Sequence, residues 1–312
     1  MADIGLDIGG TNTKGVVLDD AGIVLASDSI PTQPSASGVM ASATQLISQL
    51  TAQAGLTLAD INGVGIGLPG VVDLATGIVA NAVNLGITEP FPLASALQNQ
   101  LDIPVTVDND LNIAALGAAQ LFHDAAGQPR DLAFLSLGTG VAAGYVLGGQ
   151  VWRGTGVAGE VGHIPIDPNG PVCNCGQRGC LELYCAGSVL ERSWPADGDI
   201  PAAQALFNAA RAGDPKATQV RDGYLGAIAV GVRNLVLSLG PGLVVIGGGV
   251  VRLGDQLLTG VQQALAELAA PSPFLQSLNM PERVVLAPAD VPVAAIGAAI
   301  LAHQPSPTSL RA

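Results

Sequence analysis

The stretch "GEVGHIPIDPNGPVCNCGQRGCLELYC", residues 159–185, holds all four cysteines of the chain, one of its three histidines and three acidic residues. Cys173-x-Cys175 and Cys180 place three thiolates within eight residues, and His163 lies ten residues upstream. Three thiolates and one imidazole form an accepted tetrahedral zinc set. Gly176 and Gly179 would let the loop fold back around the ion. A disulfide cluster is the competing reading, and a compartment that keeps thiols reduced argues against it. Cys185, five residues past Cys180, reads as a small buried apolar residue. Asp167 sits in "DPNG" and shapes a turn. Glu160 and Glu182 each lie close in sequence to a ligand of this zinc set. Two carboxylates fixed beside a rigid loop are good acceptors for sugar hydroxyls; surface salt bridging is the plainer alternative.

Two further stretches have chemical content. In "DIGGTNTK", residues 7–14, Gly9 and Gly10 would let backbone N–H groups approach phosphate oxygens, and Thr11 and Asn12 add side-chain donors. Lys14 adds positive charge. Asp7, at a strand end, is placed to hold a metal-bound water near the phosphates. A plain β-turn would use the same glycines. "LGTGVAAG" repeats the pattern, with Gly138, Thr139 and Gly140 in its turn, and Gly248 lies in a third glycine turn at 247–249. Three such turns at strand ends point to a nucleotide site. In "VDND", Asp110 could accept a hydroxyl proton and Asn109 could bond neighbouring hydroxyls. An Asx turn with a helix cap explains the same residues.

The elements that carry these turns alternate. Residues 3–30 read as strand, glycine turn, strand, Asp-Asp-Ala-Gly turn, strand. Residues 38–55 have helical spacing and stop at Gly55. "INGVGIGLPG" is a buried strand running into a turn, and "PVTVDNDLNIAALGAAQLF" a strand followed by an Ala-rich helix capped by Asp110 or a neighbour. "LAFLSLGTGVAAGYVLGGQV" resembles "IGLDIGGTNTKGVVLDDAGIV", which suggests a duplicated unit. "VPVAAIGAAILAH" is a final helix. Strands alternating with helices in two similar halves predict an α/β protein of two domains around a cleft. The boundary is expected near Gly117, giving a domain at 1–117 and a larger one at 118–290 with the zinc loop. The C-terminal helix, about 291–312, is expected to pack back on the first domain. His123 and His303 are expected to be ordinary surface or helix positions.

Composition limits the partners. Of 312 residues, 49% are hydrophobic and 12% charged, which suits a globular chain. A net charge of −13 with only 12 basic residues argues against nucleic acid and against an anionic membrane surface. The N-terminus has no basic region ahead of an apolar core, and the longest apolar stretch is broken by glycines and proline; a cytoplasmic location is expected.

"DIGGTNTKG", "GIGLPG", "VDNDLNIAALG", "LGTGVAAG", "GEVGH" and "CNCGQRGCLE" follow one another in the order found in ROK-family sugar kinases, which this chain resembles over nearly its whole length. The resemblance implies an actin-like ATPase (ribonuclease H-like) fold with ATP and Mg2+ in the cleft. It makes Asp110 the catalytic base. It puts Asn109, Glu160, His163 and Glu182 on sugar hydroxyls, with Gly70 of the Gly-Leu-Pro-Gly turn approaching the sugar. The Gly9–Asn12 and Gly138–Gly140 turns would hold the ATP phosphates, and His163, Cys173, Cys175 and Cys180 a structural Zn2+. It also implies a homodimer. The 159–184 stretch is more similar to family glucokinases than to fructokinases, so phosphorylation of glucose at the 6-hydroxyl is the expected reaction. N-acetylmannosamine and N-acetylglucosamine kinases share every motif and stand as the alternative. Family repressors place a helix-turn-helix domain ahead of the first phosphate strand, and this strand begins at about Ile4. A sugar-binding protein without catalysis would lack the base, and Asp110 is present.

Overall fold

The computed structural model describes residues 1–123 and 130–303. The chain divides into two compact units, Met1–Pro129 with Asp290–Ala312, and Arg130–Ala289. Gly117 lies inside the helix Asp110–Leu121.

In the first unit, β1 (Ala2–Ile8), β2 (Asn12–Asp19) and β3 (Val24–Pro31) form an antiparallel meander. Next come β4 (Ile61–Leu68), a small hairpin of β5 (Val71–Asp73) and β6 (Ile78–Ala80), and β7 (Val105–Asn109). The main sheet has the order β3-β2-β1-β4-β7, with β1, β4 and β7 parallel. The second unit repeats the plan. β8 (Leu132–Leu137), β9 (Val141–Leu147) and β10 (Gln150–Val151) form the meander. β11 (Leu243–Gly247) and β12 (Val284–Leu286) are then added parallel to β8. The order β10-β9-β8-β11-β12 matches the first sheet strand for strand, as the duplicated sequence pattern predicts.

Strand periodicity decides what each face of β1 can do. Ile4, Leu6 and Ile8 are fully buried and share a core with Val39, Leu46 and Leu50 of the helix Ala36–Gln53. Asp3, Gly5 and Asp7 fall on the other face. There the C-terminal helix, Val293–His303, packs at backbone distance. A β-carbon on Gly5 would collide with the Ala295 carbonyl, and one on Gly65 of β4 with that of Ala298. The same helix meets Asp110–Leu121 through Gly117 and Gly297, each lying against a backbone carbonyl of the other helix. The final helix therefore packs on the first sheet; the expected extension over 304–312 lies outside the described residues. His303 is an exposed helix position, as the sequence suggests, but it has a partner. Its Nδ1 lies 3.4 Å from Asp3 Oδ2, because β1 and the last helix are adjacent only in the fold.

Replacing Gly297 by Val should destabilise the protein by about 1–3 kcal/mol through overpacking, read as a lower midpoint in thermal or urea unfolding. Gly223, whose β-carbon would meet nothing within 4 Å, is the control and should tolerate Ala.

Candidate functional site

Parallel strands deliver their carboxyl ends to one edge of a sheet, which is where open α/β sheets bind ligands. In the first unit this edge carries Asp7 from β1, the Gly67–Gly70 turn from β4 and Asn109–Asp110 from β7. Asp7 sits opposite Gly67, and Gly67 opposite Asp108.

Asp108 and Asn109 belong to the strand rather than to a loop, and Asn109 is the helix cap: its Oδ1 accepts from Leu111 N at 2.9 Å. The Asn109 Nδ2 donates to Gly70 O at 3.4 Å, and Gly70 adopts φ 113°, open to glycine and strained for other residues. The Gly-Leu-Pro-Gly turn is thus tied directly to Asn109. Asp108 is buried, and its Oδ1 accepts from Asn109 N at 2.7 Å and Asn112 Nδ2 at 2.8 Å. It fixes the strand-to-helix corner on which Asp110 stands. Asp110 opens the helix, half-buried, with Leu111 N–H donating to its Oδ1 at 3.0 Å.

The β1–β2 turn closes with Gly9 N donating to Asn12 O at 3.0 Å, leaving Gly10, Thr11 and Asn12 exposed. Lys14 is exposed on β2, opposite Asp7 in register. Burial pushes the Asp7 carboxyl up to about 6; the negative Asp110 adds to the rise, and Lys14 opposes it. Two carboxylates near enough to feel each other at a sheet edge are a cation-seeking arrangement.

In the second unit the β8–β9 turn holds Gly138, Thr139 and Gly140, closed by Gly138 N donating to Gly140 O at 3.0 Å. Gly248, at φ 89°, packs so that a β-carbon there would reach Gly138 N at 3.0 Å. Two of the three sequence turns therefore meet in this unit.

The segment Gly159–His163 lies flat along β9, because Gly159 and Gly162 bring their Cα atoms against the Ala143 and Val141 carbonyls. This leaves Glu160 exposed and His163 half-buried. His163, Cys173, Cys175 and Cys180 converge, with one ligand atom from each within 4.8 Å of the others. All four cysteines are free thiols, so the disulfide reading is set aside. A zinc tetrahedron with Zn–S of about 2.3 Å needs sulfurs roughly 3.8 Å apart. Cys175 and Cys180 Sγ atoms are 3.6 Å apart, and Cys173 Sγ is 3.7 Å from His163 Nδ1. Hydrogen bonds from Gln177 hold the Cys175 thiol down at about 6, whereas burial pushes Cys180 up to about 12. Thiols this close ionise together only with a cation between them. The donor set fits Zn2+. Cys185 is fully buried in the unit's core, as its sequence setting suggests, and Asp167 shapes its turn while accepting from Tyr184 Oη at 3.1 Å.

Glu182 is placed differently from Glu160. Its Oε2 accepts from Val141 N at 3.0 Å, directly beneath the β8–β9 turn. Ser188, which belongs to none of the sequence motifs, donates to Thr139 O at 2.9 Å. The only local cue is a Gly-Ser pair at a helix start, too common to single out.

Two five-stranded sheets of one strand order, each with a glycine turn between its first two strands, define the actin-like ATPase (ribonuclease H-like) fold. The ROK family profile matches residues 3–305, and the chain belongs to the ROK family. It is similar to a glucokinase from Halalkalibacterium halodurans, with 35% identity over 288 residues and 86% of each chain covered. A ROK hexokinase from Thermus thermophilus superposes with a TM-score of 0.79 at 31% identity, covering 97% of this chain and 98% of that one. A ROK glucokinase from Streptomyces griseus, solved with glucose and AMPPNP, gives 0.76 at 30% identity, covering 98% and 100%.

The Asp7 value has a consequence for stability. Below the unfolded value of 3.8 both states hold the proton, and no penalty exists. As pH rises through about 6 the unfolded chain ionises first, and the fold loses of the order of 3 kcal/mol. Asp7→Asn should therefore melt above the parent at pH 7, with the gap closing near pH 4. Thermal scans at three pH values check this.

Proposed function

We propose that the chain is an ATP-dependent sugar kinase that transfers the γ-phosphoryl group to the 6-hydroxyl of glucose. The observation that carries this reading is the corner at β7, where Asp108 anchors Asn109 and Asp110 and Asn109 is tied to Gly70. Such a corner presents a carboxylate and an amide side by side at fixed spacing. The family membership and the glucokinase and hexokinase likenesses support it.

Asp110 takes the hydroxyl proton as the oxygen attacks in line. Asn109, Glu160, His163 and Glu182 bind the remaining hydroxyls, and the Gly70 turn limits the space around them. Gly9, Gly10, Thr11 and Asn12 offer donors to phosphate oxygens, as do Gly138, Thr139 and Gly140, with Gly248 packed beneath; Lys14 adds charge. Mg2+ on the phosphates would neutralise developing negative charge, and Asp7 would hold one of its waters. Zn2+, held by His163 Nδ1 and the three thiolates, would fix the imidazole plane without taking part in the reaction. The second ring nitrogen of His163 is then left to meet a sugar hydroxyl.

N-acetylglucosamine or N-acetylmannosamine remains the second reading, because every motif serves it equally. Reduced thiols and ATP use fit a cytoplasmic enzyme, and we assign it a homodimer, which light scattering can check. Among the described residues no helix is long and apolar enough to cross a membrane.

A coupled ADP-release assay over hexoses and N-acetylhexosamines tests the substrate. Asp110→Asn should lower kcat on the best sugar on the order of 10²–10⁴-fold; near-normal kcat would remove the base. Chelation of the metal, or Cys175→Ala, should weaken sugar binding more than nucleotide binding while circular dichroism shows a folded chain. A folded, metal-free protein with normal sugar affinity by calorimetry would exclude the shared histidine.

A further inference from the structure

One short segment grips the β8–β9 turn from beneath. Gly187 N donates to Gly138 O at 2.7 Å. Ser188 Oγ donates to Thr139 O at 2.9 Å, and Glu182 Oε2 accepts from Val141 N at 3.0 Å. Gly140 lies on the same carboxylate: a β-carbon there would stand 2.5 Å from Glu182 Oε2. Residues 182–188 thus bond Gly138 and Thr139 of the turn and Val141 at the start of β9, with Gly140 packed on the same carboxylate. The segment is anchored at its other end by Cys180, in the metal-fitting cluster, and by Leu181 N donating to Ile164 O at 3.0 Å.

These contacts determine where the turn's donors point. A trans peptide is planar, with its C=O and N–H on opposite sides. Gly187 holds the Gly138 carbonyl downward, so the Thr139 N–H faces away from the segment. Ser188 holds the Thr139 carbonyl downward, so the Gly140 N–H also faces away. Glu182 draws the Val141 N–H beneath. Two adjacent N–H groups are left aimed outward, the arrangement that binds phosphate oxygens.

We infer that Glu182 and Ser188 are positioning residues for the nucleotide: through their bonds to Val141 and Thr139 they orient the Thr139 and Gly140 N–H groups toward its phosphates. This rests on the reading that the turn binds phosphate. It gives Glu182 a second task beside the sugar contact, and gives Ser188 one task only.

The test is calorimetric titration of the zinc-loaded chain with AMPPNP in the absence of sugar, with a separate titration with glucose. Ser188→Ala should weaken AMPPNP about five-fold, the value of one neutral hydrogen bond, and leave glucose affinity unchanged. Ser188→Thr keeps the hydroxyl and should restore it. Glu182→Ala should weaken AMPPNP on the order of ten-fold. Glu182→Gln keeps an accepting oxygen and should retain AMPPNP affinity while losing glucose affinity. Melting temperatures confirm folding, and Ser188→Ala carries the test if Glu182→Ala unfolds. Gly138→Val separates the two readings. If it weakens AMPPNP while Ser188→Ala and Glu182→Ala do not, the positioning role is overturned and the phosphate turn stands. If Gly138→Val also binds normally, the turn is not a phosphate site and the inference falls with it.

Discussion

Asp7 and Asp110 stand near one another at the carboxyl edge of the first sheet, and much of the first unit serves to keep them there. Burial and the neighbouring Asp110 charge both push the Asp7 carboxyl up, so its charged form opposes folding. What holds them is backbone geometry. Asp7 ends a strand whose neighbouring faces are fixed by a buried core on one side and a backbone-distance helix on the other. Asp110 is set by the Asp108 and Asn109 bonds at the strand-to-helix corner. Carboxylates held against their electrostatic preference are preorganised, at a cost in stability that a bound cation can offset.

The two units share a strand order yet have diverged in what the order supports. The first keeps its ionisable groups at the strand ends. The second has only glycine and hydroxyl groups at its β8–β9 turn and takes its chemistry from the insertion after β10. That insertion reaches the turn through Glu182, Gly187 and Ser188. Order in the cysteine loop and order in the turn are therefore mechanically linked through a few residues of backbone.

Much of this is legible in the sequence. The strand–turn–strand pattern of residues 3–30 and its repeat in the second half, the helix ending near Gly55 and the Cys₃His set are local signals, and local signals survive in sequence. The sequence narrows the helix cap to Asp110 or a neighbour; Asn109 takes it because its backbone is still extended while its Oδ1 accepts from Leu111 N, which Asp110 Oδ1 shares from inside the helix. What sequence could not show depends on elements that meet only after folding. His303 finds Asp3 across 300 residues of chain. Ser188 finds Thr139 because the helix Gly187–Ser193 begins against β8. Glu182 could be read as a sugar ligand from its motif, but its bond to Val141 follows from topology alone.

The placement of Val293–His303 on the first sheet bears on how the protein is made. Residues 130–289 form one uninterrupted unit, whereas the first unit needs a helix that follows it in the chain. During synthesis, the Gly5 and Gly65 face and the Gly117 groove are therefore uncovered while the whole second unit emerges. The second unit can complete its core first, though its sequence comes later. The N-terminal half must wait, exposed, for the last helix to leave the ribosome, and this interval is where nascent chains are most prone to wrong contacts.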